Sequence, residues 1–202
     1  MPGKKLPEEE RREAILEAAY RVAVRETLGG LSMRAVAEEA GVSKGLLFFH
    51  FKDKGAMLLA LLDWVLERAP RLDVPGDLEE GGDPSLRLLR VLEHHISGIP
   101  QRQERVEMFM DFWVLGMTVP EVQRRIRSAF DRFRGEFEPY TAPVAARFPE
   151  RYDGGATEGL AAVVVSFIQG VSLQMMSDPG HFDIDRYMRA LRGLVVGAPV
   201  RA

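Results

Sequence analysis

The chain has 202 residues, 46% hydrophobic and 28% charged, and its 27 Lys+Arg against 30 Asp+Glu leave a formal net charge of −3 at pH 7. That is enough apolar chain for one or two small cores, which excludes collagen-like and disordered readings. The absence of cysteine excludes a disulfide framework, a Cys-ligated metal and a thiol nucleophile, and fits a reducing cytoplasm.

No window alternates apolar and polar residues between turn signals, whereas stripes with a 3.6-residue period recur from end to end, so the fold class is all-α. Residues up to Arg12 carry charge but no apolar run or small-residue cleavage site, and are not a secretion signal. The stripe Ile15, Ala18, Ala19, Val22 and Ala23 predicts a first helix from about Glu8, closed by Gly29 and Gly30. A second starts at the N-cap Ser32, carries Val36, Ala37 and Ala40, and stops at Gly41. Ser43 caps a very short third helix reaching Phe49, and Asp53 caps a fourth that ends before Pro70. From Pro70 to Pro84 the Gly, Pro and acidic residues predict a loop. Five further helices are expected at about Ser85–Ile99, Gln103–Met117, Glu121–Tyr140, Thr157–Ser177 and Ile184–Val196, about nine in all. The uncharged stretch Gly159–Ser177 approaches bilayer-spanning length, but its Gln and Ser residues and acidic flanks favour a buried helix over a membrane span.

Two short helices joined at Gly41-Val42 have the spacing of a helix-turn-helix, whose second helix enters the major groove of DNA. Ala37 and Ala40 are small where the helices cross, and Gly41 can take a left-handed turn. Val42 and Leu47 are expected to fill the contact with the first helix. Ser43 offers a hydroxyl and free N–H groups to a phosphate, and Gly45 leaves room for a sugar–phosphate backbone. Between Ser43 and Lys54 the net charge is +2, which leaves −5 for the rest, a small basic reading head on an acidic body. Lys44, His50 and Lys54 are its cations at or just past the short helix.

The segment Ala37-Glu38-Glu39-Ala40-Gly41-Val42-Ser43-Lys44-Gly45-Leu46-Leu47-Phe48-Phe49-His50-Phe51-Lys52-Asp53-Lys54 resembles the DNA-binding segment of the TetR (tetracycline-repressor) family of bacterial transcription regulators. The cadence of Phe109, Phe112-Trp113 and Pro120-Glu121, and later of Gln169-Gly170 and Asp178-Pro179, is similar to the branch containing the choline–betaine regulators. The resemblance implies a helix-turn-helix domain at residues 1–54 and an effector-binding and dimerisation domain at 55–202. It implies that Ser32, Ser43, Lys44 and Lys54 hold the phosphate backbone while positions 44 to 50 face base edges. Candidate DNA-contacting residues are therefore Ser32, Arg34, Ser43, Lys44, Gly45, Leu46, Phe48, Phe49, His50 and Lys54. Two positions depart from the family pattern: Phe48 stands where Tyr is usual, and Leu46 where a small residue is common. Both make the reading surface apolar, which suits thymine methyls, although Phe48 can equally pack against the first helix.

In the body, the candidate ligand-binding residues are Trp64, His95, Phe109, Met110, Trp113, Met117, Phe130, Phe133 and Phe167. Such aromatic and methionine stripes suit a pocket for a small apolar or aromatic effector, and equally a solid core. His95 shares a face with Leu88, Leu92 and Ile99. The adjacent His94 and His95 diverge around a helix and do not make a metal pair, so no metal or cofactor is expected. No phosphate loop, nucleophile elbow or carboxylate motif points to an enzyme. The last two helices carry apolar residues suited to pairing with a second copy, at Val163, Ser166, Gly170, Val171, Tyr187, Leu191, Leu194 and Val195. A two-fold dimer would set its reading helices about 34–36 Å apart on a palindromic operator. The reading is a cytoplasmic, homodimeric, ligand-responsive repressor. The alternatives are a dimeric regulator without an effector and an enzyme acting on an apolar substrate.

Overall fold

The computed structural model describes residues 7–69, 71, 72, 74, 76, 82–150, 152 and 156–196, and the side chains of all of these but 156–158, 195 and 196. Every regular element among them is helical. In chain order they are α1 (Glu8–Gly30), α2 (Met33–Ala40), α3 (Lys44–His50), α4 (Lys54–Glu67), α5 (Pro84–Ser97), a 3-10 turn at Pro100–Arg102, α6 (Gln103–Gly116), α7 (Pro120–Arg147), α8 (Ala156–Ser177) and α9 (Ile184–Val196). The loop expected over 70–84 lies largely outside the described residues.

Two compact units divide the chain. The first joins residues up to Ala69 with Glu104–Ser128, and the second joins Pro70–Gln103 with Ala129 onward. In the first, α1 packs on α2 and α4, and α2 on α3. The α1 stripe is buried as its period demands, with Ile15, Ala18, Ala19 and Val22 at 0% exposure. Leu47 of α3 and Met57, Leu61 and Leu62 of α4 are likewise fully buried in this unit. From α6 and the start of α7 come Met108, Phe112, Val122 and Ile126. In the second unit α5 packs on α8 and α9, and Leu89, Ile96, Phe137, Val171 and Leu191 form its centre. The Gly159–Ser177 stretch passes for a membrane span by length and hydropathy alone. Here it belongs to α8, whose Ala161, Val164, Val165 and Ile168 face the interior of the unit.

Local chemistry sets the helix ends. Ser32, Ser43, Asp53 and Asp83 each accept a backbone N–H of the helix they precede, each such cap contributing about 1 kcal/mol. α7 outruns its expected end at Tyr140 and continues to Arg147 through Pro139 and Pro143. A proline ring inside a helix meets the carbonyl four residues earlier. Those residues are Gly135 and Pro139, and the helix nevertheless runs through both prolines. Between the two prolines the buried Thr141 hydroxyl donates to the Phe137 carbonyl at 3.2 Å, and Val144 and Ala145 are buried beyond them. α1 also departs from its simple reading: Thr27, at φ 61° and ψ 168°, kinks the helix before Gly29. That left-handed backbone is unfavourable for a β-branched residue.

Candidate nucleic-acid interface and effector region

The turn between α2 and α3 is built by hydrogen bonds that only its glycine permits. Gly41 sits at φ 63° and ψ 30°, and the next amide, Val42 N–H, donates back to Ala37 O at 3.0 Å. This is the six-to-one closure of a helix ended by a left-handed residue. Ser43 then restarts the chain, its Oγ accepting from Leu46 N–H at 3.2 Å. Leu47 turns inward and is fully buried, while Val42 is half-buried.

Ion pairs link α2 to α1. Arg21 Nε donates to Glu39 Oε1 at 2.8 Å and Arg25 Nη1 to Glu39 Oε2 at 3.3 Å. The Arg21 hydrogen bond, seconded by Arg25, holds the Glu39 carboxyl below the usual carboxylate range. Lys54, the first residue of α4, donates from Nζ to the Gly29 carbonyl at 3.2 Å, one of the orphan acceptors at the end of α1. Further along α4, Trp64 Nε1 donates to Glu13 Oε1 at 2.7 Å. Its ring is 5.5 Å from Tyr20 and lies 4.3 Å beneath the Arg68 guanidinium, and Arg68 also reaches Glu13.

Of the residues expected at a DNA surface, Ser32, Arg34, Ser43, Lys44, Gly45, Phe48 and Phe49 are exposed, and Leu46 and Lys54 are half-buried. Phe49 leaves 72% of its surface in water and Phe48 41%, so Phe48 is not packed away against α1. Lys44 lies over the Phe48 ring at 5.8 Å. Arg34 is engaged by Glu38 one turn along α2, at 2.8 Å. His50 differs from the expectation of an outward cation. It is half-buried, its Nε2 is enclosed with no hydrogen-bond partner among the described residues, and its ring neighbours those of Phe49 and Phe51. The cause is its place at the end of the short helix, where the chain turns inward to the buried Phe51.

The candidate effector residues fall in both units. Trp64, Phe109, Met110, Trp113 and Met117 belong to the first, where Phe109 and Met110 are half-buried and Trp113 and Met117 are 41% and 63% exposed on α6. His95, Phe130, Phe133 and Phe167 belong to the second. There the structure brings His95 within 5.3 Å of Phe133 and 6.3 Å of Phe137, ring to ring, and the two phenyl rings meet edge-on at 5.3 Å. Phe137, one turn after Phe133 on the same apolar stripe, was not among the expected effector residues. Arg102 was missed too, because a 3-10 turn after a proline shows no periodic signal. It donates from Nε to the Gly98 carbonyl at 2.9 Å and from Nη2 to the His95 carbonyl at 2.7 Å, satisfying the end of α5. Burial, aided by the charges of Arg102 and His94, lowers the His95 pKa from 6.5 to about 4, so its imidazole is neutral at pH 7.

On the expected pairing face, Val163, Ser166 and Leu194 are exposed, and Gly170 and Tyr187 half-buried. Val171 and Leu191 are 0% and 2% exposed and belong to the core of their own unit, because the helix faces that carry them turn inward within the protomer. The Val195 side chain lies outside the described residues.

Residues 15–61 match the pattern described as bacterial regulatory proteins of the tetR family. Residues 84–197, more than half of the chain, match the C-terminal domain of the BetI-type transcriptional repressor. The chain belongs to the TetR family. Its C-terminal part is of the BetI type, and it is a transcriptional regulator rather than an enzyme, as its relatives are. The HTH-type transcriptional regulator BetI of Stenotrophomonas maltophilia is 23% identical over 192 residues, 95% of this chain and 94% of that protein. The regulator TtgR of Pseudomonas putida is 33% identical over 76 residues, 38% of this chain and 36% of its own. Among solved structures, a TetR transcription regulator from Haloarcula marismortui superposes with a TM-score of 0.73 at 17% identity, covering 93% of this chain and 97% of the other. A transcriptional regulator from Saccharomonospora viridis in complex with choline gives 0.70 at 19% identity, covering 94% and 97%. As a TetR-family regulator the chain binds DNA, and its family typically acts as dimers with small-molecule effectors.

Proposed function

We propose that this TetR-family chain is a cytoplasmic, homodimeric repressor that holds a palindromic operator through α3 and releases it when a small apolar or aromatic effector binds the C-terminal part. The observation that carries the reading is the exposed face of α3, with Lys44 and two phenyl rings outward and Leu47 fully buried on the opposite side. A helix so held presents one side to a groove as a rigid body. Residues 1–54 are the reading head and 55–202 the sensing and pairing domain. Lys44, Lys54, Ser32 and Ser43 take phosphate oxygens, with Arg34 beside them, while Gly45, Leu46, Phe48 and Phe49 meet sugars and bases. Lys54 must exchange or share its Gly29 carbonyl to do so.

The effector region centres on His95 and Phe133, flanked by Phe130 and Phe167. A neutral imidazole beside phenyl faces accepts an apolar or aromatic molecule, and equally a quaternary ammonium such as the choline bound by the Saccharomonospora viridis regulator. A ligand shifts the regulator between states only by its differential affinity for them. The exposed Val163, Ser166 and Leu194, with Gly170 and Tyr187, supply the pairing face.

The test is operator affinity of the full chain on a duplex selected from a randomised pool, with and without candidate effectors, alongside sedimentation. A two-fold footprint, a dimer mass and ligand-dependent release support the reading. A lone protomer indifferent to duplex DNA at low ionic strength overturns it. The close ring packing of His95, Phe133 and Phe137 favours a second reading, a dimeric regulator with a solid core and no effector. Failure of every small molecule to shift thermal stability or release DNA would select that one.

A further inference from the structure

The outward side of α3 offers carbon where a base-reading surface usually offers hydrogen-bonding groups. Phe49 is 72% exposed and Phe48 41%, although a phenyl ring carries roughly 150–250 Å² of surface that folding normally hides. Gly45 precedes Phe49 by one turn on the same face. A Cβ there would meet only the Ser43 hydroxyl, at 4.0 Å, and its backbone is not left-handed. Among the described residues nothing requires a glycine at this position, and glycine weakens a short helix. The outcome is bare backbone beside a standing ring. That ring is steadied edge-on against the His50 imidazole at 5.3 Å and 85°, and the exposed cations Lys44 and Lys52 flank it in sequence.

A phenyl group neither donates nor accepts a hydrogen bond to a base edge. The apolar feature that distinguishes one base pair from another in the major groove is the 5-methyl group of thymine. We infer that Phe49 is a specificity-determining residue that reads a thymine 5-methyl group in each operator half-site, with Gly45 leaving room for the backbone alongside. This rests on α3 being the reading helix, and the experiment separates the two claims.

The full chain is used to select a duplex from a randomised pool, and that duplex is resynthesised with deoxyuridine replacing one symmetric pair of thymines at a time. Each replacement deletes the methyl and leaves base pairing intact. Burying one such carbon is worth about four-fold in affinity, so the critical pair should cost the wild type roughly fifteen-fold. Phe49→Ala should bind thymine and deoxyuridine duplexes alike. Phe49→Leu, which keeps an apolar tip, should retain part of the discrimination, and unchanged melting temperatures of both variants certify their fold. Wild-type binding indifferent to every replacement overturns the inference and leaves DNA binding intact. Equal loss in wild type and Phe49→Ala also overturns it, since another group then reads the methyl. Failure to select any duplex removes the DNA-reading role of α3 and the inference with it.

Discussion

Lowering the pH from 7 toward 4 forces a proton onto His95 only at the expense of the fold, because the imidazole is enclosed by Phe133 and Phe137 and faces the Arg102 charge. In the unfolded chain this group titrates near 6.5, and in the folded protein near 4. Between those values the unfolded state binds more protons, so stability falls as pH drops through the window and is flat with respect to this group above it. A gap of about 2.5 pH units, at 1.36 kcal/mol each, amounts to about 3 kcal/mol in full and about 2 kcal/mol by pH 5. The perturbation is His95→Phe, which supplies a ring without a titrating nitrogen. Urea unfolding at fixed protomer concentration, at pH 7 and pH 5, gives the difference between variant and wild type, in which the carboxylates common to both cancel. The wild type should lose about 2 kcal/mol more than the variant over that interval. Parallel profiles would refute the reasoning and put His95 in water.

Three further outcomes follow from the first unit. Thr27→Gly relieves the left-handed backbone and should raise stability by about 1 kcal/mol, a melting-temperature gain of roughly 2–4 °C read by calorimetry; no gain would mean that Thr27 is not strained. Ser43→Ala removes the acceptor for Leu46 N–H and should cost about 1 kcal/mol in denaturant unfolding, in addition to any loss of DNA affinity. Lys54→Ala should weaken binding to all duplex sequences and lower the slope of log affinity against log salt by about one unit. An unchanged slope would keep the Lys54 ammonium with the Gly29 carbonyl and off the DNA.

What could be read ahead of the structure was what local chemistry decides. Gly41 and Ser43 announce the turn because a left-handed residue and a capping hydroxyl act within a few residues. The α1 stripe announces its buried face because one helix side repeats every 3.6 residues. The extension of α7 was hidden, since Pro139 and Pro143 ordinarily stop a helix, whereas here the helix runs on and buries Thr141, Val144 and Ala145. The orientation of His50 was hidden as well, because sequence gives its charge and not the inward turn at Phe51. On α6 the same apolar alphabet yields buried Met108 and Phe112 beside exposed Trp113 and Met117; composition marks such residues as interesting without saying which way they point. The ring cluster at His95 depends on α5 meeting α7, a tertiary fact that no window of sequence contains.

The setting of Trp64 gives this regulator an optical gauge of its own. The chain has two tryptophans, and Trp64 has its indole N–H on Glu13 of α1, a guanidinium over its face and a phenol beside it. Indole emission responds to each of those neighbours, so any slide of α4 along α1 should alter colour and intensity without an attached dye. With Trp113→Phe removing the second emitter, a single fluorescence titration would follow the helix that leads out of the reading head.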